Sequence, residues 1–224
     1  VPLSWSLINT GDKGILKKEK KTQRTMMPYL AALLPTRTES TILVAVCAVW
    51  VLSELAVGGI IPHLRRRGAR IRYEDRGSRP LISLMLVSFV IAFFFASSGI
   101  ASLSSWSFYL GIGLMITGIV LRQWSIAVLG RYFSRTVGVQ EGQAVVDNGP
   151  YRYVRHPSYT GLLMIVIGLG FVLRSWGAVL VLIAFFGMAF GYRIHVEEGV
   201  LTSKLGDEYV AYAKRTKRLI PYVL

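Results

Sequence analysis

The chain has 224 residues, 53% of them hydrophobic and 17% charged, a balance that excludes a small soluble domain and points to an integral membrane protein. Lysine and arginine number 26 against 12 acidic residues, for a formal charge of +14. Such a charge would suit nucleic acid, but the basic residues cluster between and after the apolar runs. That placement fits cytoplasmic loops and anionic lipid headgroups, so no nucleic-acid partner is expected.

One cysteine, Cys47, lies inside an apolar run and reads as a small buried hydrophobe, so the chain has no internal disulfide. The three histidines, His63, His156 and His195, lack metal-ligand spacing, and no metal is expected. Residues 1–40 form a basic tail without a compact signal-peptide pattern, with Lys17, Lys18, Lys20, Lys21 and Arg24 as its basic run. The apolar piece Met26 to Leu34 is too short to span and stops at Pro35, so it reads as interfacial.

Five apolar runs follow, at about 41–61, 81–98, 106–129, 159–173 and 176–192. They are continuous rather than alternating, which predicts helices. The fourth covers only about 22 Å and needs polar ends that reach the interface. Short, nearly uncharged loops join runs two and three, and runs four and five, which predicts two antiparallel hairpins. The loop 65–79 carries Arg65, Arg66, Arg67, Arg70, Arg72, Arg76 and Arg79 against Glu74 and Asp75, and should be cytoplasmic. Five spans then bring 130–158 and 193–224 to the same side, and leave the basic tail outside, against the same rule.

Glycines inside the runs suit close helix packing: Gly111, Gly113 and Gly118 in run three, Gly168 and Gly170 in run four, and the Gly187–Gly191 pair in run five. None follows a strand, so none belongs to a dinucleotide-binding loop. Glu54 and Arg122 fall deep within runs one and three, where an unpaired charge is costly. They are expected to pair, or else each to reach a water-filled cavity separately.

Two polar clusters stand at the ends of runs four and five. The first is Gly149-Pro150-Tyr151-Arg152-Tyr153-Val154-Arg155-His156-Pro157-Ser158-Tyr159-Thr160-Gly161. Proline fits a first helical turn and disfavours helix at the residue before it, so a helix should start at Pro157 with His156 as its cap. The free amides of that turn favour an anionic group. The second cluster is Arg193-Ile194-His195-Val196-Glu197-Glu198, where Arg193 and Glu197 stand one turn apart and the paired acids attract a cation. Together the clusters suit a zwitterionic or sulfonium ligand.

Five stretches are distinctive in combination: Leu129-Gly130-Arg131-Tyr132-Phe133-Ser134; Gly149-Pro150-Tyr151; Arg155 to Gly161; Arg193 with Glu197-Glu198; and Leu205-Gly206-Asp207-Glu208-Tyr209-Val210-Ala211-Tyr212 closing on Arg218-Leu219-Ile220-Pro221. Together they resemble the isoprenylcysteine carboxyl methyltransferase family, over about residues 106–224. The resemblance implies an all-α integral membrane enzyme of about five transmembrane helices. Its regions would be a basic tail 1–40, N-terminal spans 41–105 and a catalytic region 106–224 that forms a cytoplasm-facing cofactor site. It implies S-adenosylmethionine as methyl donor, with S-adenosylhomocysteine as product. Cofactor contacts are implied at Gln143, Ala144, Val145, Val146, Tyr151, His156, Pro157, Ser158, Tyr159 and Glu197, with Arg193 as the catalytic, substrate-side residue. Gln143 stands where members of the family often carry histidine, and the chain resembles the shorter prokaryotic form.

The implied acceptor is the carboxylate of an isoprenylated cysteine or a similar lipophilic acid, entering from the bilayer. A carboxylate is ionised at neutral pH and needs no general base. An amine or phenol acceptor would need one, with His156 or His195 as candidates. A phospholipid amine, or a non-catalytic membrane scaffold, remains an alternative on the residues alone. The sequence leaves the oligomeric state open.

Overall fold

Where hydrocarbon surrounds the chain, every backbone group must be satisfied internally, and the long apolar runs fold accordingly as helices. The computed structural model describes residues 36–57, 71–73, 78–134, 138–140 and 142–220. The basic run Lys17–Arg24, the apolar piece 26–34, His63, the end of run one, Pro221 and most of the arginine loop lie outside the described residues. In chain order the elements are α1 (Arg37–Leu55), β1 (Ile71–Tyr73), α2 (Ser78–Ser98), α3 (Trp106–Leu129), β2 (Gly138–Gln140), α4 (Pro157–Val172), α5 (Trp176–Leu205) and α6 (Asp207–Arg215). Three of them, α1, α3 and α5, are long and apolar enough to cross a membrane, while α4 and the described part of α2 are shorter apolar helices. The fold is that of an integral membrane protein.

Residues up to Ser40 form a unit of their own. Its described part is the opening turn of α1, where Thr36 Oγ1 accepts from the Glu39 amide and Glu39 Oε2 accepts from the Thr36 amide, a reciprocal capping box. The second unit runs from Thr41 to Leu224. Its central seam joins α3 to α4 antiparallel, through glycines spaced seven apart on each helix. A Cβ at Gly111 would lie 2.5 Å from the Gly168 carbonyl oxygen, and one at Gly118 would lie 2.6 Å from that of Gly161. Backbones this close gain dispersion contacts that larger side chains would prevent.

On one flank of this seam, Ile42, Leu43, Val46, Cys47 and Trp50 of α1 cover Phe108, Ile112, Met115 and Ile119 of α3, together with Ile165 and Val172 of α4. On the other, Ala92 of α2, Val166 of α4 and Leu182, Phe186, Phe190 and Ile194 of α5 form a second cluster. Phe89 meets Phe186 edge-on at 5.6 Å. Outward residues such as Leu52, Val90, Phe93 and Leu180 are exposed and apolar, as a lipid-facing surface requires.

Several expectations change. Gly187 and Gly191 have nothing within 4 Å of a built Cβ, and neither has Gly113, so this glycine pair makes no helix seam here. The α4–α5 hairpin forms, through a turn in which Ser175 Oγ accepts from the Ala178 amide. In contrast, α2 packs on α5 rather than on α3. Helix α5 does not stop where its apolar run does. It continues to Leu205, where Gly206 at φ 59° ends it with its amide bonded to Thr202 O. A two-stranded antiparallel sheet, unforeseen in an all-α reading, pairs Ile71 with Gln140 and Tyr73 with Gly138. It ties the loop before α2 to the loop before α4 and so sets both at one end of the bundle.

Candidate active site

Pro157 opens α4 and His156 occupies its N-cap position, as the proline rule predicts. The C-terminal segment runs beside this cap. The amides of Arg155 and His156 donate to Lys217 O at 2.7 Å and Arg218 O at 3.0 Å, and Thr160 Oγ1 donates to Leu219 O at 2.7 Å. Arg155 Nη1 donates to Ala213 O and Thr216 O, satisfying carbonyls at the end of α6, and its Nε donates to Glu198 Oε1 at 2.8 Å. Arg155 therefore clamps α5, α6 and the α4 cap together.

Successive helical residues point about 100° apart, and this separates the two acids that the sequence presents as a pair. Glu198 turns to Arg155, to Arg218 at 3.0 Å and to His156 Nε2 at 3.4 Å. Glu197 turns to Tyr159, whose hydroxyl donates to its Oε2 at 2.8 Å. The same hydroxyl accepts from Arg193 Nε at 2.7 Å. Arg193 and Glu197, one turn apart on α5, are thus linked through Tyr159 of α4. Guanidinium only donates and carboxylate only accepts, so the direction of this chain is fixed. The Tyr159 ring stacks on Phe190 at 5.3 Å and lies 5.7 Å from the His156 ring.

Tyr159, Arg193 and Glu197 line a cavity of about 440 Å³, while Glu198 and Arg218 stand outside it. Gln143, Ala144, Val145, Val146 and Tyr151 wall it from the loop side, His156, Ser158 and Tyr159 from α4, and Arg193 and Glu197 from α5. Met85, Leu162, Ala189 and Phe190 extend it into the apolar layer between α2, α4 and α5. Of the expected contact residues, Pro157 does not line the cavity: it is fully buried, and its place is the first turn of α4. Gln143 lines it, yet its side-chain oxygen accepts from the Gln140 amide at 3.0 Å, so it also holds the turn after β2. His195 is exposed and stands off the cavity.

Tyr209 on α6, part of a distinctive stretch but not among the expected contact residues, belongs to the site. It is 4% exposed, lines the cavity, and its hydroxyl has no hydrogen-bond partner among the described residues. A buried hydroxyl without a partner is costly, and a polar ligand in the cavity would satisfy it. Its neighbour Tyr212 donates instead to Tyr151 O at 2.8 Å. Burial raises the hydroxyl pKa of Tyr151 and Tyr209, reinforced by the negative charge of Glu197 and Glu198 respectively, and pushes that of Tyr212 up to about 12. All three therefore stay neutral donors at physiological pH. The first turn of α4 offers little to an anion: Pro157 has no N–H, and the Tyr159 and Thr160 amides donate to His156 O at 3.0 and 3.1 Å. A carboxylate and an unsatisfied hydroxyl around one aromatic-walled cavity fit an amino-acid-bearing cationic cofactor. Among the described residues no cluster of His, Cys, Asp or Glu could hold a metal.

Residues 111–203 match the model of the isoprenylcysteine carboxyl methyltransferase family. Protein-S-isoprenylcysteine O-methyltransferase B of Arabidopsis thaliana is 31% identical over 120 residues, covering 53% of this chain and 61% of that protein. Protein-S-isoprenylcysteine O-methyltransferase of Schizosaccharomyces pombe is 32% identical over 114 residues, covering 50% of this chain and 48% of that one. The chain thus spans about half to three fifths of the curated relatives it matches. The structure of a eukaryotic intramembrane Ras methyltransferase superposes with a TM-score of 0.63 at 23% identity, over 87% of this chain and 71% of that one, and shares the fold. Residues 111–203 are thus similar to the isoprenylcysteine carboxyl methyltransferase family, in a chain that shares the membrane-helix fold of that structure.

Proposed function

We propose that this protein transfers a methyl group from S-adenosylmethionine to the carboxylate of an isoprenylated cysteine or a similar lipophilic acid. The observation that carries the reading is the Arg193–Tyr159–Glu197 chain, set in a cavity that runs from polar loop residues to apolar helix walls. Bound there, the cofactor would supply an electrophilic methyl group on a sulfonium. Glu197 holds its ammonium, while the Tyr209 hydroxyl takes an acceptor group of the same molecule. Gln143 to Val146 and Tyr151 form the remaining wall on that side.

Arg193 grips the acceptor carboxylate through its planar fork, and Tyr159 keeps the guanidinium in one orientation. Displacement needs the attacking oxygen in line with the leaving sulfur at about 3 Å contact, so holding both partners is the larger part of the chain's task. No proton has to move when the acceptor is an ionised carboxylate. The acceptor's apolar tail lies against Met85, Leu162 and Phe190 and enters from the bilayer between spans. The five apolar helices all cross the membrane, with the cavity and the C-terminal segment on the cytoplasmic side.

The test is methyl transfer from labelled S-adenosylmethionine to a short farnesylated cysteine in lipid, beside Glu197→Ala. Turnover that vanishes in the variant is expected. Wild-type protein that binds S-adenosylhomocysteine but methylates no lipophilic carboxylate would move the acceptor to another class, and one that binds neither would sink the reading.

A further inference from the structure

The membrane-embedded ion pair between α1 and α3 reaches the cavity. Arg122 lines it, with 8% of its side chain exposed against 19% for Glu54. The guanidinium grips Glu54 through two parallel bonds, Nε to Oε1 and Nη2 to Oε2, the latter at 2.9 Å. Its remaining arm, Nη1, donates to Ser158 Oγ at 2.7 Å. Glu54 lies well outside the segment 111–203 that matches the family model.

Elementary donor counting gives this arrangement a direction. A guanidinium has only donors, so Ser158 Oγ must accept from Arg122. The serine proton is then left to point elsewhere, and among the described residues no acceptor takes it. Ser158 itself lines the cavity in the first turn of α4, at the positive end of the helix dipole. Glu54 matters because a lone arginine at this depth would turn toward any available oxygen, whereas a bidentate carboxylate fixes its plane.

We propose that Glu54 is a positioning residue which, through Arg122, fixes the Ser158 hydroxyl as a hydrogen-bond donor into the cavity, toward a carboxylate of the bound cofactor. The inference rests on the reading of the cavity as a methyl-donor site. The pair is thus a device that sets the polarity of one hydroxyl, as well as a brace between helices.

The experiment measures S-adenosylhomocysteine binding by calorimetry on the full chain in detergent, with thermal stability alongside. Ser158→Ala is expected to weaken binding about tenfold with little change in melting temperature. Glu54→Gln should weaken it by a similar factor, and the combination should bind no worse than Ser158→Ala alone, because both remove the same bond. The charge swap Glu54→Arg with Arg122→Glu sharpens the point. It restores the ion pair and the melting temperature, but the relocated carboxylate now accepts the serine proton, so binding stays as weak as in Ser158→Ala. Unchanged binding in Ser158→Ala overturns the proposal even if no Glu54 variant folds. So does a double variant whose losses multiply, or a swap that recovers affinity together with stability. Wild-type protein without saturable binding would instead bring down the methyl-donor reading, and the relay with it.

Discussion

Helix α4 shows two contrasting faces. Toward α3 it brings backbone against backbone, with Gly161 and Gly168 set against Gly118 and Gly111 and no room for a methyl group, and Ile165 and Val172 packed between them. Toward α5 it presents Tyr159 and Leu162 and leaves a cavity of about 440 Å³. The closed face resists displacement because its backbone contacts leave no slack, and this holds the open face still enough to orient a hydroxyl between Arg193 and Glu197. Rigidity on one side of a short helix is what permits an open site on the other.

The harshest way to break this contrast is Gly161→Leu, whose Cβ would sit 2.7 Å from Gly118 O with Arg122 close behind. It should cost about 3 kcal/mol or more and abolish monodisperse protein in detergent chromatography. The same change at Gly187, which faces open space, should leave the elution profile as it was. Next comes the open face. Glu197→Gln is expected to weaken S-adenosylhomocysteine binding roughly a hundredfold while shifting the melting temperature little, since its partners lie in the cavity. Comparable losses of affinity and stability would mean that the open face is structural too. Tyr159→Phe keeps the ring stack on Phe190 but unlinks Arg193 from Glu197, and should lower kcat/KM about tenfold at unchanged melting temperature.

The contrast is legible in the sequence only in part. Gly111, Gly118 and Gly168 announce close packing, but a small residue does not say which helix it meets. The Gly187–Gly191 pair, the most familiar such pattern in the chain, meets no other helix among the described residues. His156-Pro157 marks the α4 start because proline acts on its own backbone. The apolar run marks only the first part of α5, because hydropathy falls at Arg193 while helix propensity does not. The β1–β2 pairing has three-residue strands without periodicity, one of them in an arginine-rich loop. The separate roles of Glu197 and Glu198 follow from helical phase once α5 is known to continue, and Tyr209 needed the cavity itself.

The smallest expected effect lies in the alkaline range. Tyr212, donating to Tyr151 O from a buried position, has its pKa pushed up to about 12, so the folded state holds a proton that the unfolded chain gives up earlier. The stability this contributes is complete below about pH 10 and declines as pH rises toward 12. Melting temperature should therefore be flat up to about pH 9.5 and fall above pH 10, less steeply in Tyr212→Phe. An unaltered slope in that variant would place the titration elsewhere.

One consequence follows from the continuity of α5. The helix is an unbroken rod of 30 residues, so Glu197 rides about 30 Å along it from Trp176, rigidly joined to the part that meets lipid. A span adapts to a thinner or thicker bilayer by changing its tilt. A change of about five degrees, pivoting near Trp176, carries the glutamate roughly 2.5 Å, close to the length of the bond it receives from Tyr159. On the proposed function, lipid chain length is therefore expected to be a variable of methyl transfer alongside the concentrations of its substrates.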